Sequence, residues 1–121
     1  MGVDIEYVEP LPDLEGVASA FFSTRELGLL HLLPERERLV AFFTCWTRKE
    51  AYLKALGEGL TRSANRVEVC ADFSQTTELN EIDNGEGENR FWRIETIVPA
   101  PGYLGAVAVE GRGWDVSWLD W

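Results

Sequence analysis

The stretch from Phe42 to Leu60, FFTCWTRKEAYLKALGEGL, constrains the fold more than any other. It reads as the last two-thirds of a long amphipathic helix that opens near Pro34, a first-turn residue, and ends at Gly57, a natural C′ residue. On a wheel of about 100° per residue, Leu39, Phe42, Trp46, Leu53 and Leu56 share one face, expected to meet the core. Glu50 lies about 40° from Trp46, at the margin of that face, and Lys54 follows one turn later. Arg48 falls about 160° from Glu50 and is expected to point to solvent. A half-sunk carboxylate needs a partner, either Lys54 or a metal ion. The plain alternative is a surface Glu–Lys pair.

Upstream, Gly2-Val3-Asp4-Ile5-Glu6-Tyr7 has the two-residue period of a strand. Asp4 and Glu6 share one face and Val3 and Ile5 the other. Two acids on one strand face need water or a cation. Leu14 to Phe22 has helical apolar spacing. Ser23 and Glu26 fit a capping box, opening a short helix that runs to about Leu32. Beyond Gly57, Val67–Phe73 alternates as a strand. Residues 74–89 are rich in acids around Asp83-Asn84-Gly85, and are expected to be a mobile loop rather than a hairpin tip. Phe91–Val98, the apolar Tyr103–Val109, and Trp114-Val116-Trp118 read as three more strands. The order implies α+β, an antiparallel sheet packed on one long helix, in one domain over 1–121.

Composition narrows the function. A net charge of −10 argues against nucleic acid. The charge is uneven: eight of the eleven basic residues lie between 25 and 66, a span that carries +3 and suits a phosphate ligand or an acidic partner. No apolar run approaches a membrane span, and the first residues lack signal-peptide character, so a cytoplasmic protein is expected. Cys45 and Cys70 are expected to be buried thiols, not ligands. His31, within Leu29-Leu30-His31-Leu32-Leu33, reads as a structural helix residue.

If strand and helix pack, Asp4, Glu6 and Glu50 converge. Three hard oxygen ligands suit Mg²⁺, which binds substrate phosphates beside a few carboxylates. Lys54 and Lys49 could neutralise such phosphates.

These residues carry a resemblance. Gly2-Val3-Asp4-Ile5-Glu6 matches the G-[VI]-D-[IV]-E strand of the 4′-phosphopantetheinyl transferases. Trp46 to Leu60 matches their W-[ST]-x-K-E-[AS]-x-x-K-x-x-G-x-G-L motif, which is long and specific. Phe22-Ser23-Thr24-Arg25-Glu26 resembles their F-[FS]-x-x-E segment, and Pro101-Gly102-Tyr103 with Ala106-Val107-Ala108 resembles a late strand. The resemblance implies magnesium-dependent transfer of phosphopantetheine from coenzyme A to a serine of an apo carrier protein. It implies Asp4, Glu6 and Glu50 as Mg²⁺ ligands and Lys54 and Lys49 as diphosphate-binding lysines. Glu50 would also be a candidate for deprotonating the serine. The chain looks like the second half of the two-half, surfactin-synthetase-activating type. It has the length of the acyl-carrier-protein synthases, but lacks the histidine of their late strand. A homo-oligomer with sites at the interface is therefore expected. The alternatives are a non-catalytic coenzyme-A-binding or interaction module and an unrelated Mg²⁺-dependent phosphohydrolase.

Overall fold

The computed structural model describes residues 1–57, 67–70, 76–82 and 89–111; for 76–82, 89 and 90 the backbone alone is described. The elements, in order, are β1 (Gly2–Tyr7), α1 (Leu14–Phe21), α2 (Thr24–Leu32), α3 (Glu35–Leu56), β2 (Thr76–Ile82), β3 (Asn89–Ile97) and β4 (Tyr103–Glu110). The strands form one antiparallel sheet in the order β1-β4-β3-β2. The class is α+β, as expected. Strand β4 is interior, which suits its apolar sequence. Trp114, Val116 and Trp118 lie outside the described residues.

Local chemistry sets the helix ends. Asp13 caps α1 by accepting from Gly16 N at 3.3 Å. Ser23 and Glu26 form the full capping box of α2. Pro34 precedes α3, and Gly57 ends it at φ 69°, a conformation that favours glycine.

Helix α3, 22 residues long, lies against β1 and β4 on one side and receives α1 and α2 on another. Small residues bring helix and sheet together: Ala51 and Ala55 on α3 meet Gly2 on β1, and Ala106 and Ala108 of β4 are buried. On the far side, Phe21 stacks on Trp46 at 4.0 Å and Phe22 on Phe42 at 5.4 Å between ring centroids. Toward β3, Tyr52 meets Trp92 edge to face at 5.3 Å.

This sandwiching overturns two expectations about α3. The helix is not a one-sided amphipath: Ala41 to Cys45, Thr47 to Lys49 and Ala51 to Leu53 are all buried. Arg48 does not point to solvent. It is fully buried beneath the sheet, where its Nε donates to Thr96 Oγ1 at 3.0 Å and its Nη1 to Cys70 Sγ at 3.9 Å. The wheel assigned Arg48 to the polar side, but that side is covered by β3 and by the segment 67–70.

Two expectations after α3 also change. Val67–Cys70 belongs to no strand: Val69 N and Cys70 N donate to the Glu26 carboxylate instead of to a ladder. The rest of the expected strand, 71–73, lies outside the described residues. The acidic stretch 74–89, expected to be mobile, contains β2, paired with β3 from Thr76↔Glu95 to Ile82↔Asn89. It is an edge strand among the described residues, held by its pairing with β3 rather than by an apolar sequence, which is why it reads as a loop. The turn at 83–85 lies outside the described residues.

Candidate functional site

Strand β1 turns Gly2, Asp4 and Glu6 toward α3 and leaves Val3, Ile5 and Tyr7 exposed. Two residues along from the Gly2 contact, Asp4 is 7% exposed. Lys54 Nζ reaches across from α3 and donates to Asp4 Oδ1 at 2.8 Å and to Val3 O at 3.4 Å. Asp4 Oδ2 is also buried but has no hydrogen-bond partner among the described residues. A buried carboxylate oxygen left bare beside other acids is costly unless something else meets it.

Glu50 supplies the second acid, half-buried one turn before Lys54. Its carboxyl is pushed above the ordinary value, first by burial and then by the charge of Asp4, with Glu6 adding and Lys54 opposing. Lys54 is held above its ordinary value, first by its hydrogen bond to Asp4, against the effect of burial. Glu6, half-buried on the same strand face, adds its charge to both. The structure thus pairs Lys54 with Asp4 and sets Glu50 and Glu6 near enough for their charges to be felt by the pair. Among the described residues, Asp4, Glu6 and Glu50 do not bring their ligand atoms as close together as Glu26, Cys45 and Cys70 do; a hard cation shared by the three acids would draw them in.

Beside Glu6 a cleft of about 230 Å³ opens between β1, α1 and α3. Leu11, Val17, Phe42, Phe43 and Trp46 line its apolar wall, and Glu6 and Glu9 its mouth.

Lys49 is not part of this group, which corrects the expectation that it neutralises phosphate. It is fully buried on another face of α3, where its Nζ pairs with Glu26 Oε1 at 2.5 Å and donates to Val67 O at 2.6 Å. The rings of Phe21 and Phe22 lie 5.9 Å from the ammonium. In the sequence Glu26 fits a capping box and closes the Phe22–Glu26 segment that resembles the family's. No local signal shows that it also anchors Lys49 and the segment 67–70. His31 lies outside the site too, on the surface of α2, 2.6 Å from Glu15 Oε2.

Gly2 was read as motif and not as packing. A Cβ there would lie 2.0 Å from Ala51 O and 2.6 Å from Ala55 N. Both are backbone atoms of α3, so strand or helix would have to move by about 1 Å or more. Gly2→Ala is therefore expected to lower stability by at least the overpacking cost of about 1–3 kcal/mol. Urea unfolding measures it, and an unchanged midpoint would mean that β1 does not rest on α3 through Gly2.

Comparison with known proteins bears on this geometry. The sequence model of the 4′-phosphopantetheinyl transferase superfamily matches residues 1–108. The chain is 37% identical over 114 residues to 4′-phosphopantetheinyl transferase HetI of Nostoc sp., covering 94% of this chain and 45% of that protein. It is 32% identical over 76 residues to 4′-phosphopantetheinyl transferase gsp of Aneurinibacillus migulanus, 63% of this chain and 31% of that one. It is 37% identical over 57 residues to 4′-phosphopantetheinyl transferase AcpT of Salmonella typhimurium, 47% of this chain and 30% of that one. The chain thus spans less than half the length of each of these relatives.

Proposed function

The chain belongs to the 4′-phosphopantetheinyl transferase superfamily, and from that premise we propose that it carries the catalytic acids of a magnesium-dependent transferase. The reaction moves 4′-phosphopantetheine from coenzyme A to a serine of an apo acyl- or peptidyl-carrier protein. The single observation that carries this reading is the buried Asp4 Oδ2, without a hydrogen-bond partner among the described residues, beside Glu50 and Lys54.

In this proposal Asp4, Glu50 and Glu6 would hold Mg²⁺. When bound, the ion supplies charge neutralisation and alignment of the phosphate oxygens. Lys54, kept protonated by Asp4, holds its ammonium at the mouth of the site, where a diphosphate oxygen would meet it. Glu50, already reluctant to ionise, takes the serine proton directly or through a water. The cleft walled by Phe42 and Trp46 receives the apolar part of the pantetheine arm and orients it. Lys49 has no part in this, since Glu26 and Val67 already engage its ammonium inside the core.

The reading extends to a homo-oligomer. Val3, Ile5, Tyr7, Val98 and Tyr103 are exposed large apolar residues on and beside the sheet. Exposed apolar patches of this kind mark interfaces. Val3, Ile5 and Tyr7 stand on the strand that carries Asp4, so a second copy seated there would adjoin the site.

The test is a loading assay with coenzyme A and an apo carrier, read by intact mass, on a sample sized by light scattering. The expected result is Mg²⁺-dependent loading by a self-associated chain, lost in Asp4→Ala. Loading by a clean monomer would refute the interface site. Binding of coenzyme A without loading would favour the non-catalytic module.

A further inference from the structure

Apart from the Asp4 group, the chain holds a second cluster of reactive side chains. Cys45 sits in the middle of α3 and Cys70 on the segment 67–70, and both are buried. Their sulfurs and a Glu26 carboxylate oxygen lie within 4.8 Å of one another. Such a trio could suit a soft metal, but Glu26 is already engaged. Its Oε1 accepts from Ser23 N at 3.0 Å and pairs with Lys49 Nζ, and its Oε2 accepts from Val69 N at 2.9 Å and Cys70 N at 3.1 Å. A carboxylate with four N–H donors has little left to offer a metal. Two thiols remain, and they are the only cysteines in the chain.

The two differ in setting. Cys70 Sγ accepts from the buried guanidinium of Arg48 at 3.9 Å. Cys45 is pushed far above the ordinary thiol range, first by burial and then by its hydrogen bond to Cys70. The two sulfurs are neighbours, so a sulfenic acid formed on one has the other thiol beside it to resolve it.

We propose that Cys45 and Cys70 form an intramolecular disulfide on exposure to a small peroxide. The Cys70 sulfur, giving up its proton, attacks the O–O bond of the peroxide, leaving a sulfenic acid on Cys70 and a hydroxide that takes up that proton and departs as water. Cys45 then gives up its proton and attacks the sulfenic sulfur, forming the S–S bond and releasing a second water. Two thiols lose two electrons and one hydrogen peroxide gains them. The bond would tie the middle of α3 to the segment 67–70, which Glu26 and Lys49 hold by polar contacts. Because both sulfurs are buried, the peroxide must wait for local opening, and the reaction is slower than that of a surface thiol.

The experiment is native peroxide treatment, alkylation of the remaining thiols, and intact mass with a peptide map. The expected product has lost two hydrogens per chain, resists alkylation, links the Cys45 and Cys70 peptides, and reverts with dithiothreitol. In Cys45→Ala the cross-link disappears and Cys70 is trapped as a sulfenic acid by a dimedone probe; the wild-type map stands by itself if that variant does not fold. Four results would overturn the proposal. These are two intact thiols after a dose and time that exhaust the thiols of the urea-unfolded chain, sulfinic acid without a link, a link between chains, and a copper or zinc ion co-purifying at one per chain and shielding both sulfurs.

Discussion

Replacing Lys49 by Met is expected to cost about 3–5 kcal/mol of stability, a large share of the roughly 5–15 kcal/mol that holds a domain of this kind together. Met keeps the length of the side chain but removes the ammonium. Glu26 then keeps its carboxylate in the core with backbone donors alone, and Val67 O loses the lysine donor. Glu26→Gln should cost a comparable amount, because it leaves Lys49 charged at full burial. The double substitution should cost clearly less than the two singles added, since the charges leave together. Urea unfolding of the four proteins measures the cycle. A Lys49→Met chain of wild-type stability that binds coenzyme A poorly would return Lys49 to the phosphate-binding role that the motif implies.

Glu50→Gln should move stability and activity in opposite directions. The folded chain raises the Glu50 carboxyl above its ordinary 4.5, through burial and then Asp4. The fold therefore favours the protonated form. Its contribution is complete below the ordinary glutamate range and is lost as pH rises through the raised value. A glutamine cannot ionise, so Glu50→Gln should be more stable than wild type near neutral pH in the absence of metal. That advantage should vanish as pH falls below about 4. Carrier loading should nevertheless drop by about a thousand-fold or more, the equivalent of several kcal/mol of lost charge stabilisation. Thermal melts across pH in a chelator, paired with the loading assay, check both arms. A variant less stable than wild type at neutral pH would show that Glu50 is a structural ion-pair partner and not a group held ready for a ligand.

The parts of the fold that local chemistry decides were legible in the sequence. Pro34 and Gly57 bracket α3, Ser23 and Glu26 open α2, and the alternation of Asp4 and Glu6 marks a strand face. The same alternation and a helical turn point to Asp4, Glu6 and Glu50 as neighbours, but not to the Lys54–Asp4 ion pair, which the packing of β1 on α3 creates. What stayed hidden depends on partners far along the chain. Arg48 and Lys49 are charged, so a wheel scores them as surface. Thr96, Cys70, Glu26 and Val67, distant in sequence, make their burial tolerable. Val67–Cys70 has a strand pattern, but its N–H groups at 69 and 70 go to one carboxylate. The acids of β2 suggest a loop, yet an edge strand depends on backbone pairing more than on an apolar row. Gly2 offered a usable clue: it shares the inward face of Asp4 and Glu6, and a glycine there signals close approach.

The most direct test of the account is a Mn²⁺ titration followed by electron paramagnetic resonance, with coenzyme A present. Mn²⁺ shares the preference of Mg²⁺ for carboxylate oxygen, and its free signal reports binding without any need for turnover. The wild-type chain is expected to take up one ion. Asp4→Ala should weaken that uptake by at least about tenfold, since it removes the buried oxygen that has no other partner among the described residues. No uptake by the wild-type chain, or equal uptake by Asp4→Ala, would contradict the assignment of Asp4, Glu6 and Glu50 as the metal-binding acids.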